Sequence, residues 1–157
     1  MPRGSIFDAA GGADGMTRIA AAWHRRAMAD EVVAHAFHGG AKPDHVERLA
    51  AYLGEALGGP PRYTELYDAH ATVVRIHSGN GEHEEMNRRA IDCFAGALHD
   101  AGVDADPETY QAVLDYWAWV TWHPMYAYHR SADDVPSNLQ MPQWSWDGTV
   151  SYRRVGQ

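Results

Sequence analysis

The chain carries ten histidines in 157 residues, which is many for its length. Imidazole titrates near neutral pH, and its neutral form is the commonest metal-binding side chain. Spacing narrows what these residues could do. None has the HxxxH separation with a third ligand close by that a zinc site requires. His35 and His38 lie three apart, His70 and His77 seven apart, and such histidines near helix ends usually cap helices or face solvent. His77 differs by context. It follows Val73, Val74 and Ile76 and precedes Ser78-Gly79-Asn80-Gly81. A histidine that ends a partly apolar helix just before a flexible loop can project into a pocket and ligate a metal. The single cysteine, Cys93, excludes an intrachain disulfide and reads as a small apolar filler on a helix.

Composition removes several functional classes. Thirteen Lys and Arg against 21 Asp and Glu give a net charge of −8, and no basic run is present, so a nucleic-acid partner is not expected. Hydrophobic residues make up 45% of the chain, enough for one domain with a substantial core. The stretch Met1 to Phe7 lacks the apolar segment of a signal peptide. No window approaches the roughly 18–20 apolar residues that span a bilayer. The chain therefore reads as cytoplasmic, with no membrane partner.

The elements that must position His77 are helical, and no strand-like alternation stands out. Ser5 caps a short first helix, with Asp8 in its first turn and Gly11 and Gly12 breaking it. Met16, Ile19, Ala20, Trp23 and Ala27 then repeat with the helical period. A short piece over 31–37 follows, stopped by Gly39 and Gly40. Pro43 suits a first helical turn, and Val46, Leu49, Ala50, Leu53 and Leu57 form the cleanest apolar stripe, ended by Gly58-Gly59-Pro60-Pro61. The pattern predicts one short helix over 64–77, a longer one over 82–101 with Met86, Ala90, Cys93, Phe94, Ala97 and Leu98 inward, and a last long helix started by Asp106-Pro107-Glu108 and closed near Pro124. Beyond about Ser131 the period is lost. Trp144 and Trp146 are too apolar for a solvated linker, so the tail is expected to pack on the domain. Roughly six helices with short connections fit several all-α folds.

A specific resemblance singles out one of them. Ile6-Phe7-Asp8-Ala9-Ala10-Gly11-Gly12-Ala13 resembles the opening of truncated haemoglobins. Asp30-Glu31-Val32-Val33 with Phe37 resembles their short helix ending in an aromatic, and Leu57-Gly58-Gly59-Pro60 with Tyr63-Thr64-Glu65 resembles their second glycine pair and following loop. Arg75-Ile76-His77 is similar to the proximal segment of group II members. The tail Met141-Pro142-Gln143-Trp144-Ser145-Trp146 resembles the Trp-rich extension of an actinobacterial branch. The likeness spans about residues 5–130. It implies an all-α truncated globin over 1–130, a two-over-two helical sandwich around haem b (iron protoporphyrin IX), with 131–157 as an extension packed on it.

Carried over residue by residue, the resemblance makes His77 the iron ligand, its other ring nitrogen donating to a backbone carbonyl or water. It places Phe37 on the porphyrin, Leu49 on the distal side and Tyr52 at the haem border. Arg48 and Arg75 are candidates for the propionates, since guanidinium groups pair well with carboxylates, and Tyr63 adds a hydroxyl donor there. Three positions depart from the family. His24 stands where a distal tyrosine is common, His45 where a small residue is frequent, and Ala90 where a ligand-binding tryptophan is usual. Two imidazoles thus replace the usual hydrogen bonds, and the missing indole leaves room for a small organic molecule unless Trp144 or Trp146 fills it.

The resemblance implies a protein that reversibly binds O2, or CO, NO or peroxide, at the iron. A second reading is a haem enzyme (a peroxidase, an oxygenase or an NO dioxygenase) in which His24 and His45 move protons for a small organic substrate. Alternatively one of these two histidines binds the iron itself, or one swings out to solvent. A third reading, a haem-free sensor or partner-binding module, conflicts with the retention of His77 and Phe37. Trp117, Trp119 and Trp122 carry enough apolar surface for a homodimer, though the tail could cover the same area.

Overall fold

The computed structural model describes residues 4–37 and 40–152. His38 and the expected stop at Gly39, like the first three residues of the N-terminal stretch, lie outside the described residues.

The order of elements is α1 (Ile6–Ala9), α2 (Gly12–Ala29), α3 (Glu31–Ala34) running into a 3-10 turn (His35–Phe37), α4 (His45–Ala56), α5 (Arg62–Leu66), α6 (His70–Ile76), α7 (Glu84–Asp100), α8 (Pro107–Trp122) and a terminal hairpin of β1 (Pro142–Trp144) and β2 (Val150–Tyr152). Helix α2 packs on both α4 and α7, and α7 packs on α8. Two helix pairs, α2 with α4 and α7 with α8, are thereby joined into one sandwich. Its core takes in stripe residues read in the sequence, Met16, Ile19 and Ala20 of α2, Leu53 of α4 and Phe94, Ala97 and Leu98 of α7, together with Ala56 of α4 and Val113, Tyr116 and Trp117 of α8. Phe94 and Trp117 stack face to face at 4.1 Å. Full burial of a side chain of this size contributes about 1.5–3 kcal/mol.

Local chemistry explains the corners. Ser5 Oγ accepts the Asp8 N–H at the start of α1. Gly11 takes a left-handed φ of 104°, and a Cβ on Gly15 would sit 2.0 Å from the Ala10 carbonyl oxygen, so only glycines let α1 fold back against α2. Asp30 accepts from the amides of Val32 and Val33 and so starts the turn that carries Phe37. Asp106 caps α8 with Pro107 in its first turn, as the sequence indicates. Helix α8 ends at Trp122, just ahead of Pro124.

The expected single helix over 64–77 is two, because the chain turns at Tyr67, whose φ and ψ of −120° and −81° leave the helical region. Buried Glu55 fixes the first piece by accepting from Thr64 N at 2.9 Å and Thr64 Oγ1 at 2.6 Å. Pro43 lies ahead of α4, which begins at His45, and the helix expected from Glu82 begins at Glu84. Cys93 is half-buried, short of the buried filler expected. The hairpin, in which Pro142 pairs with Tyr152 and Trp144 with Val150, has no alternating pattern to announce it.

Candidate functional site

His77 caps the C-terminus of α6, where its Nδ1–H donates to the Val73 carbonyl at 2.8 Å. That bond fixes the tautomer and ring orientation and leaves Nε2 bare. The side chain is exposed on the molecular surface, yet enough protein surrounds it for burial to push its pKa down. Its charge reaches His45, whose pKa it lowers. Helix α6 is held in place by later chain. Gly79 N and Gly81 N donate to the carbonyls of Tyr128 and His129, and Ala71 and Val74 pack against Val135 and Leu139.

A second group is formed between α2 and α4. His24 of α2 and His45 of α4 meet Nδ1 to Nδ1 at 3.1 Å, and Phe37 presents an edge to both rings, 6.0 and 5.2 Å away between centroids. His45 is the first residue of α4, where the helix dipole disfavours an imidazolium. Burial lowers its pKa, and the charges of His24 and His77 lower it further, against a smaller opposing pull from Asp44. An Nδ1···Nδ1 bond needs one donor and one acceptor. The donor ring then carries a bare Nε2 and the acceptor ring an Nε2–H. At neutral pH the pair thus offers one hydrogen-bond donor and one proton acceptor.

The other residues singled out in the sequence are placed as follows. Leu49 is half-buried against the core. Tyr52 and Tyr63 are buried and pack edge to face at 5.5 Å. Arg48 bonds Asp44 through Nε at 2.9 Å and lies over the Tyr67 ring, so a propionate would compete with Asp44 for it. Arg75 is exposed one residue before the end of α6. The Ala90 carbonyl accepts the Trp23 indole N–H at 3.2 Å. The indole beside Ala90 is thus that of Trp23. Trp144 packs on Tyr116 and Trp119, while Trp146 donates to Gly4 O at 2.8 Å.

Two features escaped the sequence reading. Trp23 looked like an ordinary core residue of α2, although it also touches Phe37 and His45. His70 is buried and bonded to Tyr52, with burial pushing its pKa down to about 4. Its sevenfold spacing from His77 was the available signal, since seven residues place two side chains on one helical face. Two open hollows of about 340 and 270 Å³ lie by Gly4 and Trp146 and between Phe7 and Leu66, and neither is lined by the site histidines.

The candidate site thus brings together, on a helical sandwich, an oriented imidazole at the end of α6 and an imidazole pair between α2 and α4. The model of the bacterial-like globin family matches residues 5–120, and the chain belongs to that family, which implies a haem cofactor and small diatomic ligands such as O2. Solved structures share the truncated-globin fold. The haemoglobin of the thermophilic phototrophic bacterium Chloroflexus aurantiacus superposes with a TM-score of 0.67 at 23% identity, covering 78% of this chain and 98% of that one. A point mutant of the group II truncated haemoglobin of Bacillus anthracis gives 0.67 at 18%, covering 79% and 92%. The thermostable haemoglobin of the actinobacterium Thermobifida fusca gives 0.64 at 22%, covering 78% and 97%. The sequence has no significant match among curated proteins. Among the described residues, no helix is long and apolar enough to cross a membrane.

Proposed function

We propose that this globin, of the group II kind, holds haem b through His77 Nε2 and binds O2 on the opposite face, next to His24 and His45. The observation that carries the reading is the His77–Val73 bond, which occupies Nδ1 and leaves Nε2 bare, with His45 close enough for the His77 charge to lower its pKa. Phe37 and Leu49 would line the porphyrin, Tyr52 and Tyr63 its buried border, and Arg75 and Arg48 its carboxylates. The haem supplies the binding site for a diatomic ligand, and the protein supplies orientation and a polar neighbour. The Nε2–H of the histidine pair donates to a polarised ligand and slows its loss. The globin unit ends near residue 130. Residues 131–157 are a Trp-rich extension in which Val135 and Leu139 brace α6, and the protein works in the cytoplasm.

One observation favours a second reading. The histidine pair holds a donor and an acceptor side by side, which suits proton transfer to and from a peroxide or a small organic substrate. Absorption spectra of the ferric, ferrous and CO-bound protein test the first reading. A Soret band that survives desalting in the native chain and is lost in His77→Ala is the expected result; equal retention by both would overturn the ligand assignment. Peroxide-driven oxidation of a small phenol, lost in His45→Ala with ligand binding retained, marks the enzyme. Slow autoxidation without that activity marks the carrier.

A further inference from the structure

Beyond the histidine pair, the molecule buries an imidazole that the proposed chemistry leaves unused. His70 is 5% exposed and Tyr52 6%. Their rings stack at 6.0 Å, and Tyr52 Oη lies 3.3 Å from His70 Nδ1. The buried Tyr116 hydroxyl also borders Tyr52 and helps to raise its pKa, but of the two neighbours only His70 meets Tyr52 at full hydrogen-bond geometry. Burial keeps His70 neutral at pH 7 and holds Tyr52 in its phenol form. Tyr52 lies seven residues beyond His45 on α4, and His70 seven before His77 on α6, so the pair shares its helical faces with the site histidines. Tyr63 and then the half-buried Tyr67 continue the run of rings, at 5.5 and 5.7 Å.

A phenol that loses an electron becomes a strong acid, and a cation stranded in a low-dielectric interior is costly. A neutral imidazole nitrogen in contact with the hydroxyl lowers that cost by taking the proton as the electron leaves, because the charge then rests on an imidazolium, a far weaker acid than an oxidised phenol. We propose that Tyr52 is a redox-active tyrosine with His70 Nδ1 as its proton acceptor. In the forward step one electron passes from Tyr52 to a one-electron oxidant. The phenol O–H bond breaks and an N–H bond forms on His70 Nδ1, leaving a neutral phenoxyl radical and an imidazolium. In the reverse step one electron from a small reductant, a phenol or an enediol, restores Tyr52 as the proton returns from Nδ1. The natural oxidant is haem that has reacted with a hydroperoxide, and for that oxidant alone the inference rests on the haem reading.

The test is freeze-quench high-field electron paramagnetic resonance of the haem-loaded protein mixed with hydrogen peroxide. A tyrosyl signal with the g component of a hydrogen-bonded radical is expected, and Tyr52→Phe should remove most of it. His70→Leu should move that component to the unbonded value and shorten the radical lifetime by about tenfold or more, a modest loss for a positioned proton acceptor. His70→Gln keeps a hydrogen bond but takes no proton, so it should keep the bonded g value with the short lifetime. Flash photo-oxidation by a ruthenium tris-bipyridyl complex repeats the measurement without relying on haem. A Tyr52 signal in that arm alone sustains the tyrosine–histidine pair and counts against the haem oxidant. An undiminished signal in Tyr52→Phe, an unchanged g value in His70→Leu, or no Tyr52 signal in either arm overturns the proposal.

Discussion

Two neighbouring regions of this sandwich treat their polar aromatic residues in opposite ways. Around His24, His45 and His77 the rings are half-buried or exposed, and each keeps a nitrogen turned away from its hydrogen bond. Around Tyr52, His70, Tyr116 and Trp117 the rings are buried, and two of the polar atoms, Tyr116 Oη and Trp117 Nε1, make no hydrogen bond of full geometry. The first region is arranged for exchange with something that comes and goes. The second is dry and tightly packed, and it accepts unsatisfied hydroxyl and indole groups that cost about 1–3 kcal/mol each. A binding surface and a core can thus be told apart by what their polar atoms touch.

The contrast can be broken, beginning with the largest effect. Phe94→Ala removes the fully buried partner of Trp117, and urea unfolding should show a loss of about 3–5 kcal/mol. A much smaller loss would mean that the dry region is not rigid. Next, the histidines should respond differently to acid. His70 has its pKa held at about 4 in the folded chain against 6.5 when unfolded, so below pH 6.5 the unfolded state takes the proton first. Stability should therefore fall as pH drops from 6.5 toward 4, by about 2 kcal/mol at pH 5, and His70→Gln should flatten that part of the profile. An unchanged profile in His70→Gln would place the acid sensitivity elsewhere.

Ala90→Trp sharpens the boundary between the regions. The new indole must share space with Trp23, costing about 1–3 kcal/mol by overpacking, and it should exclude bulky phenols while leaving CO binding rates intact. Equal rates for a bulky and a small substrate would show that position 90 does not border the ligand. The smallest effect is expected in the open region. His24→Ala leaves His45 half-exposed to water and should cost less than about 1 kcal/mol in thermal unfolding. A loss of several kcal/mol would make the pair a structural clasp.

Much of the frame was legible. The stripe Leu49, Ala50, Leu53 and Leu57, the Asp106-Pro107 start and the stop at Pro124 encode α4 and α8 through local periodicity and capping, which act over one or two turns. His77 was legible from its helix-end context together with the family resemblance. The terminal hairpin was missed because strands of three residues offer no period, and the break at Tyr67 because no glycine or proline marks it. The pairing of Tyr52 with His70 joins positions 18 apart across two helices, beyond the reach of any local pattern.

Sequence alone specified where most of the helices run and which of their faces turn inward, since hydrophobic spacing and helix caps are properties of neighbouring residues. Tertiary packing decided that His24 meets His45, that Trp23 reaches the Ala90 carbonyl, and that His70 sits dry beside Tyr52. Each of those contacts joins different helices, and its distance depends on how whole side-chain surfaces interlock, which no short stretch of chain encodes.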